Sequence, residues 1–147
     1  MIDKWDQRMM DVAYVVGSWS KDPCTKVGAV LVSSDRRQVS WGFNGLPRGI
    51  EDSPERLNDK ELKNALTVHA EMNALLNSPV DVAGWTLYCT KFPCISKGCA
   101  QGIIQRRIVR VVCPTISEDS DWAPDQKTAF RLLQEAGIYL DLIERMA

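Results

Sequence analysis

One imidazole and two thiols constrain this chain more than anything else in it. His69 is the single histidine among 147 residues. Cys94 and Cys99 follow it, separated by Ile95-Ser96-Lys97-Gly98. A neutral imidazole with two thiolates cancels the charge of a zinc ion and leaves a fourth corner open for water, so the three form a ligand set for zinc. A fold that uses the set must bring position 69 and the 94–99 stretch to one point. Glu71 stands two residues after His69. It is not needed as a ligand and can take a proton from the water and pass it on.

Each residue alone has a blander reading. A lone histidine is more often a surface or hydrogen-bonded residue than a ligand. Glu71 alone would read as a helix N-terminal acid stabilised by the dipole. The combination overturns both. Pro93-Cys94 and Cys99-Ala100 bracket a helix start, whose unpaired N–H groups favour thiolate. H-x-E followed by P-C-x-x-C is the signature of zinc-dependent nucleobase deaminases; here four residues, not two, separate the cysteines. Cys89 and Cys113 lie in or at the end of apolar runs, where a buried thiol is the default, and Cys24 lies in a turn. The Cys89–Cys94 spacing equals that of Cys94–Cys99, so arithmetic leaves a Cys89/Cys94 pair open; a place inside a strand disfavours it.

The rest of the chain alternates strands and helices. Trp5, Met9, Val12, Ala13 and Val16 mark one face of an amphipathic helix over 3–19. Val27–Val32 reads as a buried strand and Gln38–Phe43 as its returning partner in a hairpin. Asn44-Gly45-Leu46-Pro47-Arg48-Gly49 is either an ordinary surface loop or one whose glycines let backbone approach a ligand. Ser53–Asn64 is charged and reads as a solvated helix or flap. Thr67–Leu76, carrying His69 and Glu71, reads as a helix, 85–89 as a strand, 99–105 as a helix and 108–112 as a strand. Thr115–Asp125 is an acidic loop. A last helix over 125–136 has Pro124 near its first turn and Gly137 as its cap, and a final strand covers 138–143. This order predicts an α/β sandwich with a partly parallel sheet.

Composition sets the outer bounds. With 45% hydrophobic and 25% charged residues, residues 1–147 are expected to form one domain able to bury its own core. A net charge of −1 argues against gripping long nucleic acid by its phosphates, though a local positive pocket for a small anion is compatible with it. No run approaches the roughly 18 apolar residues of a membrane span, and the N-terminus lacks the basic-then-apolar order of a signal peptide. A cytoplasmic location is the default. Five cysteines, an odd number, read as reduced thiols, some of them metal ligands.

The chain resembles the deoxycytidylate (dCMP) deaminase family within the cytidine deaminase superfamily, from about Trp5 to the last strand. The resemblance lies in Ser20-Lys21-Asp22-Pro23-Cys24-Thr25-Lys26-Val27-Gly28-Ala29-Val30, in Gly42 to Gly49, in His69-Ala70-Glu71-Met72-Asn73-Ala74 and in Cys99-Ala100-Gln101-Gly102-Ile103. It implies a three-layer α/β/α sandwich with a five-stranded mixed sheet. It implies Zn2+ held by His69, Cys94 and Cys99, with Glu71 shuttling protons. Asn44 matches a sugar-contacting asparagine, Lys26 a basic residue near the 5′-phosphate, and Ala70 a backbone contact to the pyrimidine. The implied reaction is hydrolysis of dCMP at ring carbon 4 to dUMP and ammonia. Some members are homohexamers regulated by dCTP and dTTP, with Mg2+ on the effector. Longer cysteine spacings occur elsewhere in the superfamily, and Gly98 would ease the longer path. Rival readings are deamination of a modified dCMP, a free nucleoside or tRNA adenosine, and a non-catalytic zinc-binding module, for which an intact Glu71 would serve no purpose.

Overall fold

The computed structural model describes residues 1–144. Helix α1 (Lys4–Gly17) opens with reciprocal capping: the Asp3 carboxylate accepts from the Asp6 N–H and the Asp6 carboxylate from the Asp3 N–H. Its inward face differs from the apolar periodicity. Met10, Ala13 and Val16 are buried as a stripe with Asp6, while Trp5 is exposed and Met9 and Val12 are only half-buried. The cause is Asp6. Its carboxylate accepts from the Tyr88 hydroxyl at 2.6 Å and from the Arg110 guanidinium at 2.8 and 3.0 Å. That satisfied ionic cluster draws an acid into the interface and turns the helix about its axis. Trp5 is instead covered by the guanidinium groups of Arg8 and Arg36, 4.6 and 5.3 Å from its ring.

Strand β1 (Gly28–Val32) is buried on both faces, which is why its sequence is an unbroken apolar run. Strand β2 (Val39–Phe43) alternates exposed and buried residues, as an edge strand covered on one face does. With β3 (Thr86–Cys89), β4 (Arg110–Pro114) and β5 (Tyr139–Ile143) they form one sheet in the order β2-β1-β3-β4-β5. Strand β1 is antiparallel to both β2 and β3, whereas β3, β4 and β5 are parallel. The sheet is therefore mixed, as the alternation of elements predicts.

Helices cover both faces. Met10, Ala13 and Val16 of α1 pack with Val30, Val32, Tyr88 and Val112 on one side. On the other, Ala29, Leu31, Leu87 and Val111 meet α4 (Ala70–Asn77), α5 (Cys99–Gln105) and α6 (Ala123–Glu135). This is the three-layer α/β/α sandwich. The α4–β2 approach is unusually close at Gly42. A Cβ there would lie 2.7 Å from both the Ala70 carbonyl and the Asn73 side chain, and nearer still to the Ala74 amide. Asn73 and Asn77 use this closeness: their amides donate to the outward carbonyls of Phe43 at 2.8 Å and Trp41 at 3.1 Å. Two of the edge strand's outward acceptors are thus occupied from within the chain.

The polar stretch after β2 forms two short helices, α2 (Pro54–Asn58) and α3 (Lys60–Leu66). It is not simply a solvated run, because Lys63 is only 3% exposed.

Candidate active site

Several connections and the starts of α4 and α5 converge at one end of the sheet. Antiparallel pairing sets Ala29, near the start of β1, opposite Cys89 at the end of β3. Parallel pairing brings the end of β4 alongside. Open α/β sheets offer their ligand crevice beyond the carboxyl ends of the parallel strands. His69 is the residue that caps α4, so it lies just outside the helix expected over 67–76; the extended Thr67-Val68 before it is fixed by a two-bond bridge between Val68 and Gly45. Cys99 is the first residue of α5, and the left-handed Gly98 (φ +80°) turns the chain into that helix.

This arrangement brings the three sequence-predicted donors together. The His69 Nδ1 atom lies 3.4 Å from the Cys94 sulfur and 3.4 Å from the Cys99 sulfur, and the two sulfurs are 3.5 Å apart. A tetrahedral ion with Zn–S of about 2.3 Å and Zn–N of about 2.0–2.1 Å would set such atoms roughly 3.5–3.8 Å apart. The donor chemistry and the spacing both fit zinc. Cys89 and Cys113 stand outside the group as buried free thiols, and Cys24 is an exposed one. The hydrogen bond with Cys113, together with burial, raises the Cys89 thiol.

Contact between Cys94 and Cys99 pushes the two thiols in opposite directions. Cys94 is lowered to about 4 by the contact with Cys99 and by the His69 imidazole. Cys99 is pushed far up beside the Cys94 sulfur, by burial and by Glu71. Burial lowers His69, but the hydrogen bond to Cys94 and the field of Glu71 outweigh it and leave the imidazole raised. The Glu71 side chain is 3% exposed, on the buried face of α4. Burial raises its carboxyl above the usual carboxylate range, a direction that suits a group handling protons near neutral pH.

A cavity of about 230 Å³ opens onto these groups. His69, Ala70, Glu71 and Cys94 form part of its lining, with Asn44, Phe92 and Trp122. The Trp122 ring stands edge-on to His69, with centroids 6.3 Å apart. Asn44 lines this cavity with its amide already engaged. It donates to the Thr25 carbonyl at 2.8 Å and its oxygen accepts from the Val27 N–H at 2.8 Å. Lys26 is not in this lining. It faces an adjoining cavity of about 290 Å³ with Thr90, Thr115, Ser117 and Ser120, and the two cavities share Thr25, Val27, Lys91, Phe92 and Gln126.

A family described as the cytidine and deoxycytidylate deaminase zinc-binding region matches residues 3–115. The chain belongs to the cytidine and deoxycytidylate deaminase family. An uncharacterised deaminase of the luxG 3′ region of Aliivibrio fischeri is 43% identical over 140 residues, covering 94% of this chain and 92% of the relative. Human deoxycytidylate deaminase is 38% identical over 136 residues, covering 88% and 74%. Among solved structures, a dCMP deaminase of the cyanophage S-TIM5, in complex with dCMP and dUMP, superposes with a TM-score of 0.77 over 97% of this chain and 99% of its own, at 24% identity; that likeness speaks to the fold. Membership supports zinc as the metal for the His/Cys/Cys group.

Sequence reasoning missed several residues of this deaminase site. Lys63 and Asp22 form a buried ion pair at 2.8 Å in the cavity wall. Asp22 also accepts from the amides of Cys24 and Thr25, at 2.8 and 3.0 Å. Trp122 lies in a stretch that reads as an acidic loop, and Lys97 sits inside the cysteine spacing. No local pattern marks them, because their partners are 30 or more residues away along the chain in the bonds that matter: Lys63 to Asp22 spans 41 positions and Lys97 to Thr67 spans 30.

Proposed function

We propose that this chain catalyses hydrolytic deamination of dCMP to dUMP and ammonia. The observation that carries the reading is the triangle of His69 Nδ1 and the Cys94 and Cys99 sulfurs, with sides of 3.4–3.5 Å, beside a cavity lined by His69, Glu71 and Cys94. His69, Cys94 and Cys99 would hold zinc, which supplies Lewis acidity that makes a water nucleophilic near neutral pH. Glu71 accepts a proton from the water as the water oxygen bonds to ring carbon 4 and delivers it to ring nitrogen 3; it then passes the proton of the new hydroxyl to the amino group, and the C4–N bond breaks as the carbonyl forms and ammonia leaves. The raised proton affinity of the buried Glu71 carboxyl supports this role. Its burial also keeps bulk water from intercepting the transfers. Ala70, buried at the start of α4 in the cavity wall, offers backbone to the pyrimidine edge.

Asn44 acts at the sugar through its remaining oxygen lone pair and by holding the 22–27 loop. Lys26 acts at the 5′-phosphate, in the adjoining cavity. The hydroxyls of Thr90, Thr115, Ser117 and Ser120 around that lysine support an oxyanion there. Lysines 60, 63, 91 and 97 against Asp22 and Glu71 make the main cavity wall cationic on balance, which favours a nucleotide over an uncharged nucleoside.

The unit is read as one domain over 1–147, acting in the cytoplasm, where a reduced thiol pair is maintained. None of the described helices is long and apolar enough to cross a membrane. A homohexamer responsive to dCTP and dTTP, with Mg2+ on the effector, completes the reading by family resemblance. Support for self-association comes from the exposed aromatic cluster of Trp19, Trp41 and Phe43, with ring centroids 6.1 and 6.3 Å from Trp19.

The test measures zinc content and ammonia release from dCMP for the native protein, Glu71→Gln, Cys99→Ala and Cys89→Ala. The expected result is metal retained without turnover in Glu71→Gln, both lost in Cys99→Ala, and both kept in Cys89→Ala. Zinc-loaded native protein that releases no ammonia from dCMP would refute the substrate reading.

A further inference from the structure

The four-residue spacing between the thiols is held as a strap with an anchor on each side. On one side, the Asp125 carboxylate in the first turn of α6 accepts from the Ile95 N–H at 2.8 Å and from the Ser96 N–H at 3.0 Å. On the other side, the Lys97 ammonium donates to the Ala65 carbonyl at 3.0 Å and to the Thr67 carbonyl at 3.5 Å. Those carbonyls belong to the last turn of α3 and the residue after it, where a cation is favoured by the unpaired C=O groups. Thr67 precedes His69 by two residues. Within the strap, the Gly98 N–H donates to the Ile95 carbonyl and the Ala100 N–H to the Cys94 carbonyl.

Lys97 therefore ties the segment that delivers the two thiols to the segment that delivers the imidazole. We propose that Lys97, backed by Asp125, is a positioning residue that keeps His69 in register with Cys94 and Cys99 and so sets how tightly and how long the site holds zinc. This rests on the deaminase reading only in that the site is taken to be a zinc site. The loop between the thiols thus carries its own restraint. Without the ammonium, the 95–98 loop keeps Asp125 but loses its hold on the 65–67 segment. The three donors would then sample a wider spread of separations. Partners that orient metal ligands typically change metal affinity by about 10–100-fold when removed. Lys97 acts one step further out, through backbone, so the effect expected is near the lower end, roughly tenfold.

The experiment loads native protein, Lys97→Met, Lys97→Arg and Asp125→Asn with zinc and follows transfer of the metal to an excess of a chromogenic chelator. Thermal midpoints of the metal-free proteins, and KM and kcat for dCMP, are measured beside it. Lys97→Met is expected to release zinc about tenfold faster, Asp125→Asn to do so to a smaller extent, and Lys97→Arg to hold zinc close to the native rate, since a guanidinium can reach the same carbonyls. The metal-free midpoints are expected to stay within a few degrees of native, because the two bonds lost, to the Ala65 and Thr67 carbonyls, are exposed or only partly buried. Release from Lys97→Met within twofold of native would overturn the proposal. So would a metal-free midpoint that falls as far as the zinc-loaded one, which marks a general loss of stability. If native protein keeps zinc but does not turn over dCMP, the substrate reading fails alone and the release rates still decide the role of Lys97.

Discussion

Removing the Lys63 ammonium should cost more stability than its surface-like sequence context implies. Lys63 and Asp22 side chains are 3% and 8% exposed, with Nζ 2.8 Å from the carboxylate. At an effective dielectric near 20, two charges about 4 Å apart attract by about 4 kcal/mol. Desolvating each ion costs several kcal/mol, so the intact pair gains little net stability. The asymmetry appears when one partner goes. In Lys63→Met the Asp22 carboxylate stays buried with the Cys24 and Thr25 amides and the long 3.5 Å contact from Asn44 as its partners. Leaving a buried charge without its counterion costs about 3–5 kcal/mol. The cavity beside it admits water, so the low end, about 3 kcal/mol, is expected. That is a midpoint drop of roughly 6–12 °C for a chain of this size.

The assay is thermal and urea unfolding of the zinc-loaded protein, run as a cycle of Lys63→Met, Asp22→Asn and the double variant. The double variant removes both charges and should lose less than the sum of the singles, by about 1–3 kcal/mol. Acid titration supplies a second arm. Burial raises the Asp22 carboxyl, but the hydrogen bond from Lys63 and the amides of Thr25 and Cys24 outweigh it and hold the group below the ordinary carboxylate range. A depressed folded-state value contributes stability above the unfolded value of about 3.9, and that contribution is lost as pH falls toward and through the folded value. Native protein should show this acid loss and Lys63→Met a weaker one. A Lys63→Met variant within about 0.5 kcal/mol of native, with additive singles, would refute the reasoning.

Lys26→Gln should raise KM for dCMP roughly tenfold, the scale of about 1.5 kcal/mol for a lost charged hydrogen bond, while leaving deoxycytidine kinetics unchanged; equal effects on both substrates would show that the lysine does not meet the phosphate. Gly42→Ala should destabilise the protein by about 1–3 kcal/mol through overpacking against α4 and should also lower kcat, because α4 carries His69 and Glu71; a variant of native stability would contradict the close approach seen at the Ala70 carbonyl. Arg110→Met should flatten the acid limb of stability: burial raises Asp6, but the Arg110 and Tyr88 hydrogen bonds outweigh it and hold the carboxyl far below its ordinary range, so native stability falls as pH drops below about 4, and unchanged acid unfolding would remove Asp6 from the account.

What could be read in advance divides by range along the chain. The unbroken apolar run that became β1 and the helix over 99–105 were legible because each is decided by its own residues and immediate neighbours. The His69, Cys94 and Cys99 group was legible because metal-ligand chemistry restricts the residue types so severely that one histidine and one Pro-Cys…Cys stretch pointed to it. The α1 face was misjudged by about one position, at Met9 and Met10, because hydrophobic periodicity has no term for a buried acid. Asp6 is decided by Arg110, 104 positions away. Lys63 was hidden for the same reason, as was Trp122 inside its acidic loop. Asn73 carried a family resemblance, yet its side chain caps the edge-strand carbonyl of Phe43 and is not among the residues that line the main cavity. A motif can thus be informative about family while the residue itself serves the scaffold.

The cysteine spacing brings these ranges together. By sequence, four residues between the thiols is a departure from the two-residue pattern, and extra loop length alone would loosen a metal site through added conformational freedom. In the structure the loop is restrained at several points. Two loop amides are fixed by a carboxylate on α6, one side chain is fixed by carbonyls at the end of α3, and a left-handed glycine returns the chain to α5. The sulfurs and the imidazole accordingly stand 3.4–3.5 Å apart, close to the spacing zinc would impose. A longer loop and a compact donor set are compatible only if those anchors are kept. Asp125 and Lys97 are thus expected to matter for how this chain's donor set is held.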